Sequence, residues 1–193
     1  MAELEHRVRN TLAVVATVIE RTRDDTKSID EFVSSLRGRI QAMVATQTLL
    51  GQSRRSVSVA DLVSTELRPY ATVTNTSVDG PPAYLLPAAS YALGMVLHEL
   101  ATNAAKYGAL SQPGGKVSVR WRQTAEPSSA PMLRIEWKET GGPQVAAPAR
   151  EGYGSSVIRE LLTYEFGGRV NLIFEPDGVR CTIELTANAE TAG

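Results

Sequence analysis

The sequence predicts an α+β chain: an N-terminal antiparallel helical hairpin, then an antiparallel-rich sheet with helices on one face. Three observations predict it. Through roughly the first fifty residues, apolar side chains recur at steps of three and four. From Val117 onward they alternate with polar ones. Between these regions, and within the second, Gly- and Pro-rich turns mark the ends of elements.

The first helix is expected near residues 3–23, where Leu4, Val8, Leu12, Val15 and Ile19 form one apolar stripe. A second is expected near 29–51. Ser28 and Glu31 make a capping-box pattern ahead of Phe32, Val33, Leu36, Ile40, Met43 and Val44, and Gly51 reads as its stop. The short link Asp24–Lys27 makes the two antiparallel. Two helices bury little surface alone. The hairpin is expected to pair with a second copy as a four-helix bundle, the alternative being that it packs on the rest of its own chain.

Arg54–Ser56 reads as a hinge. A helix is expected over Val59–Tyr70, ended near Pro69, then a strand around Ala71–Val78 and a long helix over Ala88–Tyr107. Two strands follow, with Val117, Val119 and Trp121, then Leu133, Ile135 and Trp137, on the inner face. A helix near Ser155–Phe166 precedes a closing hairpin that turns at Asp177-Gly178. Its inward residues are Val170, Leu172, Phe174, Val179, Cys181, Ile183 and Leu185. The tail 188–193 is expected to be disordered.

Composition narrows the function. The 193 residues suffice for one ordinary domain and a smaller one. A net charge of −1 gives no reason to expect nucleic acid or an anionic membrane as partner. The single cysteine, Cys181, excludes an internal disulfide framework, fits a reducing compartment and reads as a small core residue. No apolar run reaches the roughly 18 to 20 residues that span a bilayer, and the start lacks a signal-peptide layout. A cytoplasmic location is expected.

Four features carry chemistry. On the long helix, Glu99, Asn103, Lys106 and Tyr107 share one face. Carboxylate and amide oxygens suit Mg²⁺, and lysine offers a point charge to phosphate; a merely solvated face is the alternative. Glu139 continues the inward phase of Leu133, Ile135 and Trp137. A buried carboxylate needs donors, and a ligand base beside Gly141-Gly142-Pro143 would supply them, unless the strand ends early and leaves Glu139 in water. Gly152-Tyr153-Gly154-Ser155 opens a helix, where backbone N–H groups can meet phosphate, or where Ser155 simply caps a turn. His6 lies opposite the first helix's apolar stripe, beside Arg9 and Asn10, as an exposed imidazole able to act as nucleophile.

Taken in order, these segments resemble the sensor histidine kinases of the HWE group. The group is marked by a His in the N box and a Trp-x-Glu in the G1 box. Here these are His98-Glu99-Leu100-Ala101-Thr102-Asn103-Ala104-Ala105-Lys106-Tyr107 and Trp137-Lys138-Glu139. The phosphoacceptor box is similar to His6-Arg7-Val8-Arg9-Asn10-Thr11-Leu12, and the end of the nucleotide lid to Gly152-Tyr153-Gly154-Ser155. The resemblance runs from about residue 3 to 186.

The resemblance implies a dimerisation and histidine-phosphotransfer hairpin over 1–53 and a Bergerat-type ATP-binding α/β sandwich over 57–187. It implies ATP and Mg²⁺ as cofactors, with Asn103 holding the metal, Glu99 as base or water-positioning group, and Lys106 and Tyr107 flanking the nucleotide. Glu139 would take the adenine-reading position beside Gly141, and Gly152 and Gly154 would shape the lid. His6 would attack the γ-phosphate and pass the phosphoryl group to an Asp of a response-regulator receiver domain. An upstream sensor domain or protein would supply the input.

Arg7 follows His6 where the commonest histidine kinases carry an acidic residue. Glu5 or Asn10 is therefore expected to orient the imidazole. Two other functions remain to be separated: a dimeric phosphotransfer scaffold that no longer uses ATP, and an ATPase or serine kinase of the same sandwich fold.

Overall fold

The computed structural model describes residues 15–16, 18–20, 22–23, 28–53, 56–124, 132–144 and 168–186. Three helices of eight or more residues are complete among them: α1 (Ile29–Ser53), α2 (Val59–Leu67) and α3 (Pro87–Lys106). The strands are β1 (Val57–Ser58), β2 (Thr76–Asp79), β3 (Tyr84–Leu85), β4 (Lys116–Thr124), β5 (Met132–Thr140), β6 (Arg169–Glu175) and β7 (Gly178–Thr186). A 3-10 turn, Ala109–Ser111, follows α3. Residues among 15–23 that are described are helical. The expected helix near 155–166, the lid glycines Gly152 and Gly154, the hairpin link, the tail, and His6, Glu5 and Asn10 lie outside the described residues.

The main sheet has the order β2-β4-β5-β7-β6. Only the β2–β4 pair is parallel, and α3 provides its crossover. The rest is antiparallel, with Val119 opposite Trp137 and Trp137 opposite Cys181. Every inward residue expected on β4, β5 and β7 from Val117 to Leu185 is buried, apart from half-buried Val179. On β6, Val170, Leu172 and Phe174 are half-buried while Ile173 is exposed, so the phase is as expected. The sheet's buried face meets Leu62 and Val63 of α2 and Leu93, Val96, Leu97, Leu100, Ala101 and Ala104 of α3 in one core. Each such side chain, fully buried, contributes roughly 1.5–3 kcal/mol.

Local chemistry explains the element ends. Ser58 caps α2 through the Asp61 N–H, and Pro87 occupies the first turn of α3, where no N–H is needed. Ser28 Oγ accepts from the Glu31 N–H at 3.2 Å, which starts α1 as its capping pattern predicts. Trp121 donates its indole N–H to the Pro81 carbonyl at 2.7 Å, tying the β2–β3 loop to β4.

Several expectations need correction. Gly51 does not stop α1, which runs on to Ser53; a glycine this near a helix end costs little. α2 ends at Leu67 rather than Tyr70: Arg68 keeps helical dihedrals as the cap, and Pro69 has no N–H with which to continue the hydrogen-bond ladder. The strand placed at Ala71–Val78 forms only over Thr76–Asp79, because residues 73–75 turn first and Asn75 closes that turn through Thr72 N–H and the Tyr70 carbonyl. The two-residue ladder β1–β3 gave no sequence signal.

The apolar stripe read on α1 divides into two. Leu36 and Met43 pack with Val15, Val18 and Met95, while Ile29, Val33, Ile40 and Val44 remain exposed. One side of α1 thus lies against α3 of the same chain, the alternative the sequence left open. Among the described residues, none covers the arc that carries Ile29, Val33, Ile40 and Val44.

Candidate functional site

The last turns of α3 build the site's outer wall. Asn103, Lys106 and Tyr107 are all exposed, Tyr107 at 73 %. Their spacing places them on one face, as expected. The helix ends as Tyr107 leaves helical geometry, and past Gly108 the chain tightens into the Ala109–Ser111 turn, whose Ser111 hydroxyl donates to the Gly108 carbonyl.

Glu139 holds that turn from beneath. It sits near the end of β5 with 2 % of its surface exposed, so its inward phase persists. Its Oε2 accepts from the Ala109 N–H at 2.9 Å, and its Oε1 accepts from Trp137 Nε1 at 3.2 Å. Burial raises the carboxyl's pKa above its usual 4.5, and the two donors oppose that rise. Two carboxylate oxygens offer about four acceptor positions, of which these bonds use two. Gly108 is required here because a Cβ would collide with Glu139 Oε2. Gly141, at φ +71°, turns the chain just past Glu139. The structure thereby brings Asn103, Lys106, Tyr107, Glu139 and Gly141 to one corner of the fold.

Glu99 departs from this group. One turn before Asn103, its Oε1 accepts from Arg39 Nε of α1 at 2.7 Å. Both side chains are largely buried, at 4 % exposure for Arg39 and 13 % for Glu99. Arg39 also donates to Thr22 Oγ1 at 2.6 Å. His98 points elsewhere: its Nδ1 lies 3.1 Å from Glu66 Oε2 on α2, and its Nε2 abuts Gly38 of α1.

Sequence reasoning missed Arg39 and Glu66. Each carried a readable signal, a charge in phase with an apolar helix stripe. Arg39 falls between Leu36 and Met43, and Glu66 beside Leu62, Val63 and Leu67. Buried charges require partners, and here they found each other's neighbours on α3.

Among the described residues no cluster of His, Cys, Asp and Glu is arranged to hold a metal by itself, and no helix is long and apolar enough to cross a membrane. The exposed Asn103 amide beside Lys106 suits a hard cation that arrives already bound to phosphates. The Thr102 hydroxyl, next in sequence, is buried without a partner among the described residues.

Residues 3–82 match the family model described as HWE histidine kinase. A blue-light-activated histidine kinase of Rhizobium johnstonii is 29 % identical over 99 % of this chain and 54 % of its own length. Another, from Erythrobacter litoralis, is 32 % identical over 95 % of this chain and 52 % of its own. The chain therefore spans about half the length of the curated relatives it matches. In fold, it is similar to the histidine kinase domain of an Erythrobacter litoralis blue-light activated histidine kinase, with a TM-score of 0.59 at 16 % identity, covering 94 % of each chain. The fuller structure of that kinase gives a TM-score of 0.61 at 17 % identity, over 98 % of this chain and 63 % of the other.

Proposed function

We propose, from the premise that this chain belongs to the HWE histidine kinase family, that it is an ATP-dependent core that phosphorylates His6 and passes the phosphoryl group to an Asp of a response-regulator receiver domain. The observation that carries this reading is the Glu139–Ala109 hydrogen bond. It ties the Glu139 carboxylate to the turn that follows the Asn103/Lys106/Tyr107 face, which supports giving Glu139 the base-reading role.

In this reading, residues 57–187 form the ATP-binding unit and residues 1–53 the phosphotransfer hairpin. Glu139 accepts the adenine amino group with its remaining lone pairs, and Gly141 lets the base approach the backbone. Lys106 and Tyr107 flank the nucleotide, and Gly152 and Gly154 shape the lid. Asn103 would hold Mg²⁺, which supplies charge neutralisation at the phosphates. A His6 ring nitrogen forms the new bond to the γ-phosphorus while the bond to the β–γ bridging oxygen breaks and ADP leaves. Glu99 takes the ring proton or positions a water, and Glu5 or Asn10 orients the ring. The catalytic work is positioning and charge neutralisation rather than covalent chemistry by the sandwich itself.

The uncovered α1 side fits a homodimer. Ile29, Val33, Ile40 and Val44 fall within one narrow arc of the helix, and apolar faces of this kind pair in four-helix bundles. An upstream sensor domain or protein supplies the input, and the assembly works in the cytoplasm without nucleic acid.

Incubation with γ-labelled ATP and Mg²⁺ tests the reading. Acid-labile label that disappears in His6→Ala is expected. Acid-stable label, or free phosphate alone, would point to a serine kinase or ATPase. Nucleotide-independent acceptance from a phosphorylated regulator would point to a scaffold.

A further inference from the structure

The main sheet ends on two strands, β2 and β6. β2 is four residues long and polar except for Val78, the kind of short edge that resists further pairing. β6 is different. It runs seven residues and, among the described residues, pairs only with β7. Val170, Leu172 and Phe174 lie half-buried on its inner face, and Ile173 is exposed on the outer one. Its two charges sit at its ends, Arg169 and Glu175, and have opposite sign.

The hairpin fixes which backbone groups this edge offers. Glu175 pairs with Gly178 across the two-residue loop Pro176-Asp177, so that pair carries the closing hydrogen bonds. Bonded and non-bonded pairs alternate along an antiparallel ladder. Positions 169, 171, 173 and 175 therefore spend their N–H and C=O groups on β7. Val170, Leu172 and Phe174 turn theirs to the open edge.

The strand is complementary to its own reverse. Set antiparallel to a second copy and centred on Leu172, it brings Arg169 opposite Glu175, Val170 opposite Phe174, and Asn171 opposite Ile173. In that register the outward groups of Val170, Leu172 and Phe174 meet their counterparts, giving about six hydrogen bonds across the edge. Apolar side chains meet on the inner face, and a charge pair closes each end on the outer face. A slip of two residues keeps the faces but separates Arg169 from Glu175. The outer face beside the edge favours the same pairing. Arg134, Arg169, Asn171, Thr182 and Glu184 line a shallow hollow there. Its one carboxylate, Glu184, is ion-paired with Arg134 at 2.8 Å, so a second guanidinium, Arg169, is left for an incoming carboxylate.

We propose that β6 is a self-association edge, which joins two copies of this chain through an antiparallel β6–β6 ladder about a twofold axis. The pairing uses a different surface from α1 and does not depend on the kinase reading. A chain with two self-complementary faces links into assemblies larger than a dimer when both engage.

Asn171→Cys and Ile173→Cys, made in separate full chains, test the register. Both sites are exposed, and the buried Cys181 does not compete. Across the twofold axis, position 171 of one copy faces 173 of the other in a non-bonded pair, with about 4.5 Å between Cα atoms, within reach of a disulfide. Like positions lie diagonally, about 7–8 Å apart, beyond that reach. Mild oxidation of the mixture is expected to give at least about fivefold more disulfide-linked dimer than either chain alone. Arg169→Glu in both chains sets a carboxylate against Glu175 and is expected to cut that yield severalfold. A mixture that links no better than its separate chains overturns the proposal and leaves the edge to a strand of another protein. An undiminished yield with Arg169→Glu overturns the charge-matched register.

Discussion

Glu139 on β5 and Ala109 in the turn after α3 are joined by a 2.9 Å hydrogen bond between a buried carboxylate and a backbone N–H. Thirty residues of chain separate them. The bond makes the end of the long helix and the end of a central strand one rigid corner, and the exposed Asn103, Lys106 and Tyr107 are displayed from that corner.

Glu139→Ala is expected to destabilise the fold by about 2–4 kcal/mol, because it leaves the Ala109 N–H and the Trp137 indole N–H buried without acceptors and opens a cavity. Glu139→Gln keeps one acceptor and is expected to cost less. Urea unfolding of the three proteins checks both statements; equal midpoints would show that the corner relaxes around the loss.

Burial raises the Glu139 pKa in the folded state. The sign follows from linkage: a carboxyl whose folded pKa lies above its unfolded value contributes stability while protonated, and loses that contribution as pH rises through the folded value. The stability of the wild type relative to Glu139→Gln is therefore expected to be greatest near pH 4.5 and below, and to decline above it. Paired urea melts across that range measure the difference, and a flat difference would contradict it.

The Asn103 side chain is exposed. Asn103→Ala is expected to leave the melting temperature nearly unchanged. It is also expected to lower Mg²⁺-dependent autophosphorylation by about 100-fold or more, the scale of losing one charge-stabilising ligand. A rate within a few-fold of wild type would remove Asn103 from the site.

Cys181 is fully buried between β5 and β6, and desolvation pushes its thiol up to about 12. The native protein is expected to resist a thiol reagent at pH 8 and to react fully in denaturant. Prompt labelling of the native protein would mean that the sheet opens on the timescale of the reagent.

Much of the fold was legible because period-two and period-3.6 patterns are local. They located α3, β4, β5 and the closing hairpin to within about two residues, and the Ser28 cap located the start of α1. The misplaced ends and short ladders are where local preference is weak. Residues 73–75 turn before β2 through a side-chain hydrogen bond, and β1–β3 exists only because Val57 and Leu85 meet across a long connection.

The sequence by itself determined that Glu139 faces inward and that Asn103, Lys106 and Tyr107 share a helix face, since side-chain direction follows from backbone period. Only the tertiary structure decided what those groups meet. Glu139 found a backbone N–H and an indole, and Glu99 found Arg39, 60 residues earlier in the chain. Periodicity says that a charge is buried, and the cost of burying it says that a partner exists. Which partner depends on the distance in space between elements far apart in the chain, and no local pattern encodes that distance.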